Sequence, residues 1–414
     1  MQRTLFWLAA GLWLGCGNSG GGPPKGGTPS GTSGGGDGMS HGNSTSSGAG
    51  ASGTNGSSAS SGGADGGPQP ASAPLVYVGG RKGIFVFRLD EADGALSAVQ
   101  GPIDAEMNPT FLAVDPARRR LFAVNELDEV DGEMSGSVSA FRIGPEDGTL
   151  ALINRVSSRG QGPAHLATDR AGRFVLVANY GGGTAAVLPV GQDGALGQAV
   201  DEAAFGPRAL SHQAVTDPAN RFAFVTNLGS DAIAQLTFDA DTGKIAPNTP
   251  PTLALPAGTT PRHLDFHPGG RFAYLINERA GSITTLSYDP ARGALSAVAT
   301  VSTLPEGASA EENACAEVAV APSGKFVYGS NRGHDSIAIF AVDPERGALT
   351  LVGHAPTRGR TPRHFQLSPT GKLLLVANQR SSNIVAFHVD EATGALRPTG
   401  RVTDVPEPTY VGIV

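Results

Sequence analysis

The sequence has little cysteine and little charge, and each shortage excludes a class of protein. Its 414 residues include two cysteines. Because Cys16 ends an N-terminal leader, Cys315 has no partner and a disulfide framework is excluded. Charged residues make up 16% of the chain and the formal net charge is -7. Nucleic acid is therefore excluded as a partner, because neutralising phosphates requires clustered lysine and arginine. By contrast, the 59 glycines and 30 prolines indicate a turn-rich all-β protein with a disordered part.

Long apolar runs are also missing, apart from a short one near the N-terminus. The run Leu5–Leu14 is too short to span a bilayer as a helix. It follows a positively charged start and ends in Gly15-Cys16, which resembles the lipobox of bacterial lipoproteins, whose cysteine is acylated. We therefore predict a signal peptide over residues 1–16, lipidation of Cys16 and a place in the cell envelope, with Gly17 favouring the outer membrane. Trp13 stands where leucine is usual, so a plain cleaved secretion signal is the alternative.

Residues 17–73 consist almost entirely of Gly, Ser, Ala, Thr, Pro and Asn. Such a segment cannot bury enough apolar surface to offset the entropy of ordering, so it predicts a flexible linker. Within it, Gly38–Gly42 fits the nucleophile-elbow pattern of serine hydrolases. That pattern requires a strand before it and a helix after it, and neither is indicated here, so we interpret the match as chance.

A turn followed by a strand recurs seven times along the remaining chain. The spacing is about 50 residues, the length of one four-stranded propeller blade. Alternating apolar positions and Pro/Gly turns indicate four strands, A to D, in each repeat. The recurring phrases are Asp93–Leu96, Asp147–Leu150, Asp193–Leu196, Thr242–Ile245, Arg292–Leu295, Arg346–Leu349 and Thr393–Leu396.

The two ends of the repeated region complement each other. The region opens at a strand B, Leu75–Gly79, without a strand A before it. The last residues, Pro408–Val414, match strand A of other repeats, such as Pro109–Val114. We therefore predict an all-β, seven-bladed β-propeller over residues 74–414, closed by the C-terminal strand so that neither end leaves an exposed sheet edge.

Charged and aromatic residues are predicted to converge at one end of the propeller channel. Strands A and B are antiparallel, so the starts of A and the ends of B share a face. The starts of A supply His165, His212, Arg262, His263, Glu317, Arg363 and His364, and the ends of B supply Glu126, Tyr180, Glu278, Arg332 and Gln379. Such groups are rarely packed together without partners, so the set predicts a binding site for an anionic small molecule.

Simpler interpretations exist for several of these residues. The asparagine that ends most B strands is typical of a structural link to a neighbouring turn. A single histidine at a strand start is more often structural than catalytic, Arg262 and Glu278 could form a plain ion pair, and Cys315 fits a core position. The acidic segment 128–133 lacks the ligand spacing of a calcium loop, and no His/Cys/Asp cluster has the spacing of a metal site.

Several motifs within residues 75–414 resemble those of the lactonase family of seven-bladed propellers, which includes propeller-type 6-phosphogluconolactonases and fungal carboxy-muconate cyclase. They are Asn179–Gly183, Pro261–His263, Asn277-Glu278, Ala316–Val318, Ser330–Ile337 and Pro362–Phe365. The resemblance implies catalytic roles for His212, Arg262, Glu278 and Arg332. Among the other residues predicted for this end of the channel, substrate contacts are expected for His165, Tyr180, His263, Glu317, Arg363 and His364. Many relatives carry a second histidine near His212, where this chain has Leu210 and Ala214.

The expected function is hydrolysis of a sugar or carboxy-muconate-type lactone without a metal ion or cofactor. The protein is expected to be a monomer that is attached to the membrane only through its lipid anchor. Glu278 or His212 would activate water, Arg262 and Arg332 would bind negative charge, and His212 or His263 would protonate the leaving group. Since 6-phosphogluconolactone is opened in the cytosol and this chain carries an export leader, another lactone is expected. The alternative is a non-catalytic envelope propeller that binds an anionic ligand or a protein at the same place. The sequence contains no set of ligand residues that matches a quinone- or metal-dependent propeller enzyme.

Overall fold

The computed structural model of the chain describes residues 73–206 and 208–414. The predicted signal peptide, the lipidation site Cys16 and the predicted linker, apart from its last residue, lie outside the described residues. Within the described part, no helix is long and apolar enough to cross a membrane.

The described residues form seven four-stranded antiparallel sheets, which are the blades of a propeller. This confirms the predicted fold. Blades 1 to 4 contain β1 Leu75–Gly80, β2 Ile84–Leu89, β3 Leu96–Ile103, β4 Pro109–Val114, β5 Arg120–Asn125, β6 Ser137–Ile143, β7 Leu150–Ser157, β8 Pro163–Thr168, β9 Phe174–Asn179, β10 Thr184–Pro189, β11 Asp201–Ala204, β12 Ser211–Thr216, β13 Phe222–Asn227, β14 Ala232–Phe238 and β15 Ile245–Ala254.

The remaining blades follow the same order, with strand A innermost and strand D outermost. They contain β16 Pro261–Phe266, β17 Phe272–Asn277, β18 Ser282–Asp289, β19 Ala294–Ser302, β20 Ala314–Val320, β21 Phe326–Arg332, β22 Ser336–Val342, β23 Leu349–Pro356, β24 Pro362–Leu367, β25 Leu373–Asn378, β26 Asn383–Val389 and β27 Leu396–Asp404. The last strand, β28 Pro408–Ile413, belongs to blade 1. Two short 3-10 turns, Ala105–Met107 and Leu228–Ser230, lie between strands.

The C-terminal strand closes the ring. β28 pairs antiparallel with β1, with Val411 opposite Val78 and Tyr410 opposite Gly79. Blade 1 is therefore built from both ends of the repeated region, in the order β28-β1-β2-β3. The pairing that the repeats predict is present, and it leaves no unpaired inner edge on blade 1.

The hydrophobic core is divided among the seven contacts between neighbouring blades. Each of seven clusters of buried apolar side chains joins two adjacent sheets, and one of them joins blade 7 to blade 1. Turn glycines contribute to the same contacts. The carbonyl of Gly347 accepts a hydrogen bond from Tyr274 Oη of the preceding blade at 3.1 Å. At φ 67° a side chain at this position would be strained, and a Cβ would lie 2.6 Å from the ring of Phe272.

A β-bulge near the start of the innermost strand recurs in every blade and positions the site. The register between strands A and B shifts after the first residue of A. One residue of strand A is thereby left without a partner, or two in β20. A bulge of this kind bends the strand and re-aims its side chains. The residues without a partner on strand B are Thr110, Ala164, His212, Arg262, Ala316, Glu317, Arg363 and Thr409.

Candidate active site

The bulges arrange the polar side chains in two layers at one end of the channel. We call this end, where the innermost strands begin, the mouth. The mouth layer consists of His212, Arg262 and Arg363 from the bulges and of Tyr180, Glu278 and Arg332 from the ends of the B strands. The floor layer consists of one residue from each innermost strand, which follows the bulge or, in β20, is its second residue; these are Phe111, His165, Gln213, His263, Glu317, His364 and Tyr410.

The floor layer fills the centre of the channel. Phe111 of blade 2 lies 5.8 Å, between ring centroids, from His263 of blade 5 and 5.5 Å from His364 of blade 7. Side chains from distant blades can meet in this way only across the channel axis. Beyond the floor, a cavity of about 580 Å³ runs to the opposite face of the propeller. The floor side chains Phe111, His165, Glu317, His364 and Tyr410 line this cavity.

Glu278 lies between two arginines in the mouth layer. Its Oε2 is 3.1 Å from Nε of Arg262 and 3.1 Å from Nη2 of Arg332. Burial alone would raise the pKa of Glu278, but the charges of Arg332 and Arg262 outweigh it and the pKa is lowered. Glu278 is therefore ionised at neutral pH and serves as the counter-charge of both arginines.

Both arginines are held by backbone carbonyls as well. Arg332 donates from Nε to the carbonyl of Ala314 at 3.0 Å and from Nη2 to that of Cys315 at 2.8 Å. Arg262, which is 3% exposed, donates from Nη1 to the carbonyl of Ala316. Burial and the charge of Arg332 lower the pKa of Arg262 to about 9, so it stays cationic at neutral pH. These two cations are thus held in place, while Nη2 of Arg262 and Nη1 of Arg332 have no hydrogen bond among the described residues.

Arg363 differs from the other two arginines. It is half-buried, and among the described residues its guanidinium has no hydrogen bond or ion pair. Burial lowers its pKa, and the nearby charge of Glu126 opposes the shift. Arg363 is thus the mouth arginine with all of its donors available for a negatively charged ligand.

His212 is 6% exposed and lies against Tyr180 and His263, with ring centroids 5.6 and 5.0 Å apart. Its Nδ1 is buried and has no hydrogen-bond partner among the described residues. Burial, reinforced by the charge of Arg262, lowers the pKa of His212 well below its usual range. The ring is therefore neutral at physiological pH and has a nitrogen able to take a proton.

In the floor layer, two histidines converge on one carboxylate. Glu317 Oε2 lies 2.9 Å from His263 Nδ1 and 3.2 Å from His364 Nε2. Burial raises the pKa of Glu317 and lowers those of His263 and His364, the last to about 4. His165 packs on Phe111, with ring centroids 4.3 Å apart, and its buried Nδ1 has no partner among the described residues.

Of the twelve residues predicted at this end of the channel, the ten with a predicted catalytic or substrate-binding role lie there but differ in depth. His212, Arg262, Glu278, Arg332, Tyr180 and Arg363 lie in the mouth layer, whereas His165, His263, Glu317 and His364 lie below it in the floor. The ion pair considered for Arg262 and Glu278 is part of a group of three charged residues, because Arg332 also contacts Glu278. Phe111 and Tyr410 were missed, although their position in strand A, two residues after its start, is that of His263 and could have identified them.

Other predicted polar residues are structural. The amide Nδ2 of Asn179 donates to the carbonyl of Ser158 in the preceding blade at 2.8 Å, and that of Asn378 to Thr357 at 3.1 Å. Cys315 is buried and contacts Thr303 and Asn331. Over the residues that are described, no group of three or more histidine, cysteine, aspartate or glutamate side chains is arranged to hold a metal ion.

Comparison with known proteins identifies relatives over the whole propeller. Residues 75–413 match the family described as Lactonase, 7-bladed beta-propeller. The 6-phosphogluconolactonase of Bacillus subtilis is 33% identical over 296 residues, which are 69% of this chain and 81% of that protein. The 6-phosphogluconolactonase of Pectobacterium carotovorum is also 33% identical over 296 residues, 71% of this chain and 84% of that protein.

A solved structure has the same architecture. The periplasmic gluconolactonase of Pseudomonas aeruginosa superposes with a TM-score of 0.75 at 30% sequence identity. The match covers 82% of this chain and 99% of that one.

Proposed function

Because the chain belongs to the lactonase family of seven-bladed β-propellers, we propose that it hydrolyses a lactone in the mouth, with His212 as the general base. One observation carries the assignment of the base. The buried Nδ1 of His212 lacks a partner among the described residues, and it lies in the same layer as two arginines fixed by Glu278.

The reaction follows from these groups. Neutral His212 takes a proton from a water molecule as the water oxygen attacks the ester carbonyl carbon. The carbonyl oxygen gains negative charge, which the fixed cations Arg262 and Arg332 stabilise without having to rearrange. When the tetrahedral intermediate collapses, the bond from carbon to the ring oxygen breaks, and His212 returns the proton to that oxygen. The products are a hydroxyl group and a carboxylic acid.

Glu278 is the weaker candidate for the base. A carboxylate that neutralises two guanidinium groups is stabilised in its ionised form, so taking up a proton would cost it both ion pairs. Its position instead explains why the arginines are rigid. We assign Glu278 to holding Arg262 and Arg332 in place.

The charge of the mouth supports an anionic substrate. Glu126 and Glu278 are outnumbered there by Arg81, Arg262, Arg332 and Arg363. Arg363 has donors available, so we assign it the carboxylate or phosphate of the substrate. The relatives are named for phosphogluconolactone and gluconolactone, which supports a sugar-derived lactone, and a carboxy-muconate lactone fits the same charge.

We further propose that the protein acts in the cell envelope as a monomer anchored through an acylated Cys16. The leader at residues 1–16 supports export, and so does the periplasmic relative. Mass spectrometry of the mature N-terminus tests the anchor. We expect a diacylglyceryl group on Cys16, and a first mature residue other than Cys16 would contradict it.

The activity is tested by measuring the acid that is released when the purified full chain is mixed with a lactone. Gluconolactone, 6-phosphogluconolactone and a carboxy-muconolactone are compared at constant pH, with the uncatalysed rate subtracted. We expect turnover of at least one of them, fastest for a lactone that carries a negative charge. If no lactone is opened while one of them binds at the mouth, the protein is a non-catalytic binding propeller.

A further inference from the structure

We propose that Glu317 is a positioning residue, which fixes the tautomer and orientation of His263 from below and through it holds Arg262 and His212 in their working geometry. The inference rests on the proposed function, because it assigns Glu317 a role in that same reaction. It differs from the substrate contact that the sequence predicts for this residue.

Both oxygens of the Glu317 carboxylate contact protein groups. Its Oε2 faces His263 Nδ1 and His364 Nε2, and its Oε1 accepts the backbone N–H of Val318 at 3.1 Å. The backbone N–H of Val411 points to His364 Nδ1 at 3.4 Å, which leaves the proton of His364 on Nε2. Both imidazoles therefore donate an N–H to one carboxylate oxygen. This arrangement places the proton of His263 on Nδ1 and leaves its Nε2 bare.

His263 transmits this constraint to the mouth layer. Its ring nitrogens lie 3.4 Å from Nη1 of Arg262, and its ring centroid is 5.0 Å from that of His212. A tilted His263 ring would disturb both neighbours. A carboxylate that orients an imidazole has the same task in hydrolases whose histidine works as acid and base.

Glu317 also supplies negative charge beneath Arg262. Arg262 has Glu278 beside it in the mouth layer and Glu317 below it, and both carboxylates favour its charged form. Glu317 is 7% exposed and borders the cavity that runs to the far face. Protons can therefore reach it without passing the substrate.

Several titratable groups face Glu317 from the surrounding strands. Those on β16 are Arg262, His263 and Asp265, the one on β24 is His364, and the one on β28 is Tyr410. Burial raises the pKa of Glu317 above its usual value, and His364 and Arg262 act in the opposite direction. The carboxylate form, which orients His263, is lost as the pH falls through that pKa.

The variant Glu317→Gln tests the role, because glutamine has one acceptor oxygen and an NH2 group in place of the second. It cannot accept from both imidazoles and from the Val318 N–H. We expect a loss of kcat on the order of 10- to 100-fold, as for other groups that orient a functional histidine, with KM changed by less than about threefold. Glu317→Asp, which keeps the charge, is expected to recover part of kcat.

A matched control is available on the neighbouring strand. Asp265 is a carboxyl whose Oδ2 accepts the backbone N–H of Val320 at 2.8 Å and which does not contact the histidines of the floor. Asp265→Asn removes a carboxylate at a similar depth, and we expect kcat and the pH profile to stay as in the wild type. An equal loss of kcat in Asp265→Asn and Glu317→Gln would mean that Glu317 is merely structural.

Nitrogen-15 NMR of the histidine rings tests the tautomer without using activity. In the wild type we expect the His263 proton on Nδ1 and the His364 proton on Nε2, and in Glu317→Gln a change of at least one of them. Unchanged tautomers together with an unchanged kcat would overturn the proposal. If the wild type shows these tautomers but opens no lactone, the proposed function fails and the positioning contact stands.

Discussion

Two buried carboxylates, Glu278 in the mouth layer and Glu317 in the floor layer, lie close together in the fold but in opposite surroundings. Glu278 faces two arginines, and its pKa is lowered. Glu317 faces two histidines, and its pKa is raised. Burial raises the pKa in both cases, and the partners of the carboxylate decide whether that effect is reversed, as it is at Glu278. Permanent cations make Glu278 a fixed counter-ion, whereas neutral imidazoles leave Glu317 able to orient them.

The largest effect is expected from removing the proposed base, His212, whose ring packs against His263. Replacing His212 with Asn keeps a polar side chain of similar size but leaves no group that can accept a proton. We expect kcat to fall by about 10²–10⁴, the usual contribution of a general base. The exposed His388 on β26 provides the control, and His388→Asn should retain wild-type kcat. A His212→Asn enzyme with near-normal kcat would transfer the role of base to another residue.

The next effect concerns the counter-ion. Glu278→Gln leaves Arg262 and Arg332 without a compensating charge, and breaking a buried ion pair typically costs up to about 3–5 kcal/mol of stability. We expect a lower midpoint of urea unfolding and a fall in kcat of about 10- to 100-fold, since the cations that stabilise the oxyanion would separate. Glu317→Gln, by contrast, should lower kcat with less loss of stability, because the histidines it leaves are neutral. Equal losses of stability in the two variants would remove the distinction between the two carboxylates.

A smaller and more selective effect is expected at Arg363. Arg363→Ala removes the guanidinium whose donors are available, while leaving the group around Glu278 intact. We expect KM for an anionic lactone to rise about tenfold, the equivalent of one charge-assisted hydrogen bond, with kcat nearly unchanged. KM for an uncharged lactone of the same ring size should stay the same. An equal rise for both lactones would show that Arg363 does not bind the anionic group.

The smallest effect is expected from a chelator. In the proposed mechanism, His212 moves the proton and the arginines stabilise the oxyanion, so no step calls on a metal ion. Dialysis of the full chain against EDTA should therefore leave kcat and KM within error of the untreated enzyme. Loss of activity on EDTA treatment and its recovery with a divalent cation would contradict this assignment.

The repeats in the sequence were sufficient to predict the architecture. The recurring turn phrases predict seven blades, and the match between Pro408–Val414 and Pro109–Val114 predicts the closing strand, which pairs with β1 as expected. Antiparallel pairing also predicts that His212, Arg262, Glu278 and Arg332 meet at one end of the channel, as they do.

The depth of each residue could not be predicted, because it depends on the bulge. Regular alternation would send Arg262 and His263 to opposite faces of the sheet, but the shift between Pro261 and His263 directs both towards the channel, one above the other. Nothing in the sequence indicates that Arg332 donates to the carbonyls of Ala314 and Cys315, while Arg363 keeps its donors. These roles depend on side-chain contacts that the strand pattern does not specify, since Arg332 donates to the neighbouring strand of its own blade.

The most direct test of His212 as the base is the pH dependence of kcat/KM in the wild type and in His212→Asn. A base must be unprotonated, so activity is lost as the pH falls through its pKa, and burial lowers the pKa of His212 well below 6.5. We predict wild-type activity that is level through pH 6.5 and falls only at lower pH, and a residual activity of His212→Asn that lacks this acid limb. The same acid limb in both proteins, or a wild-type limb centred at or above pH 6.5, would contradict the account.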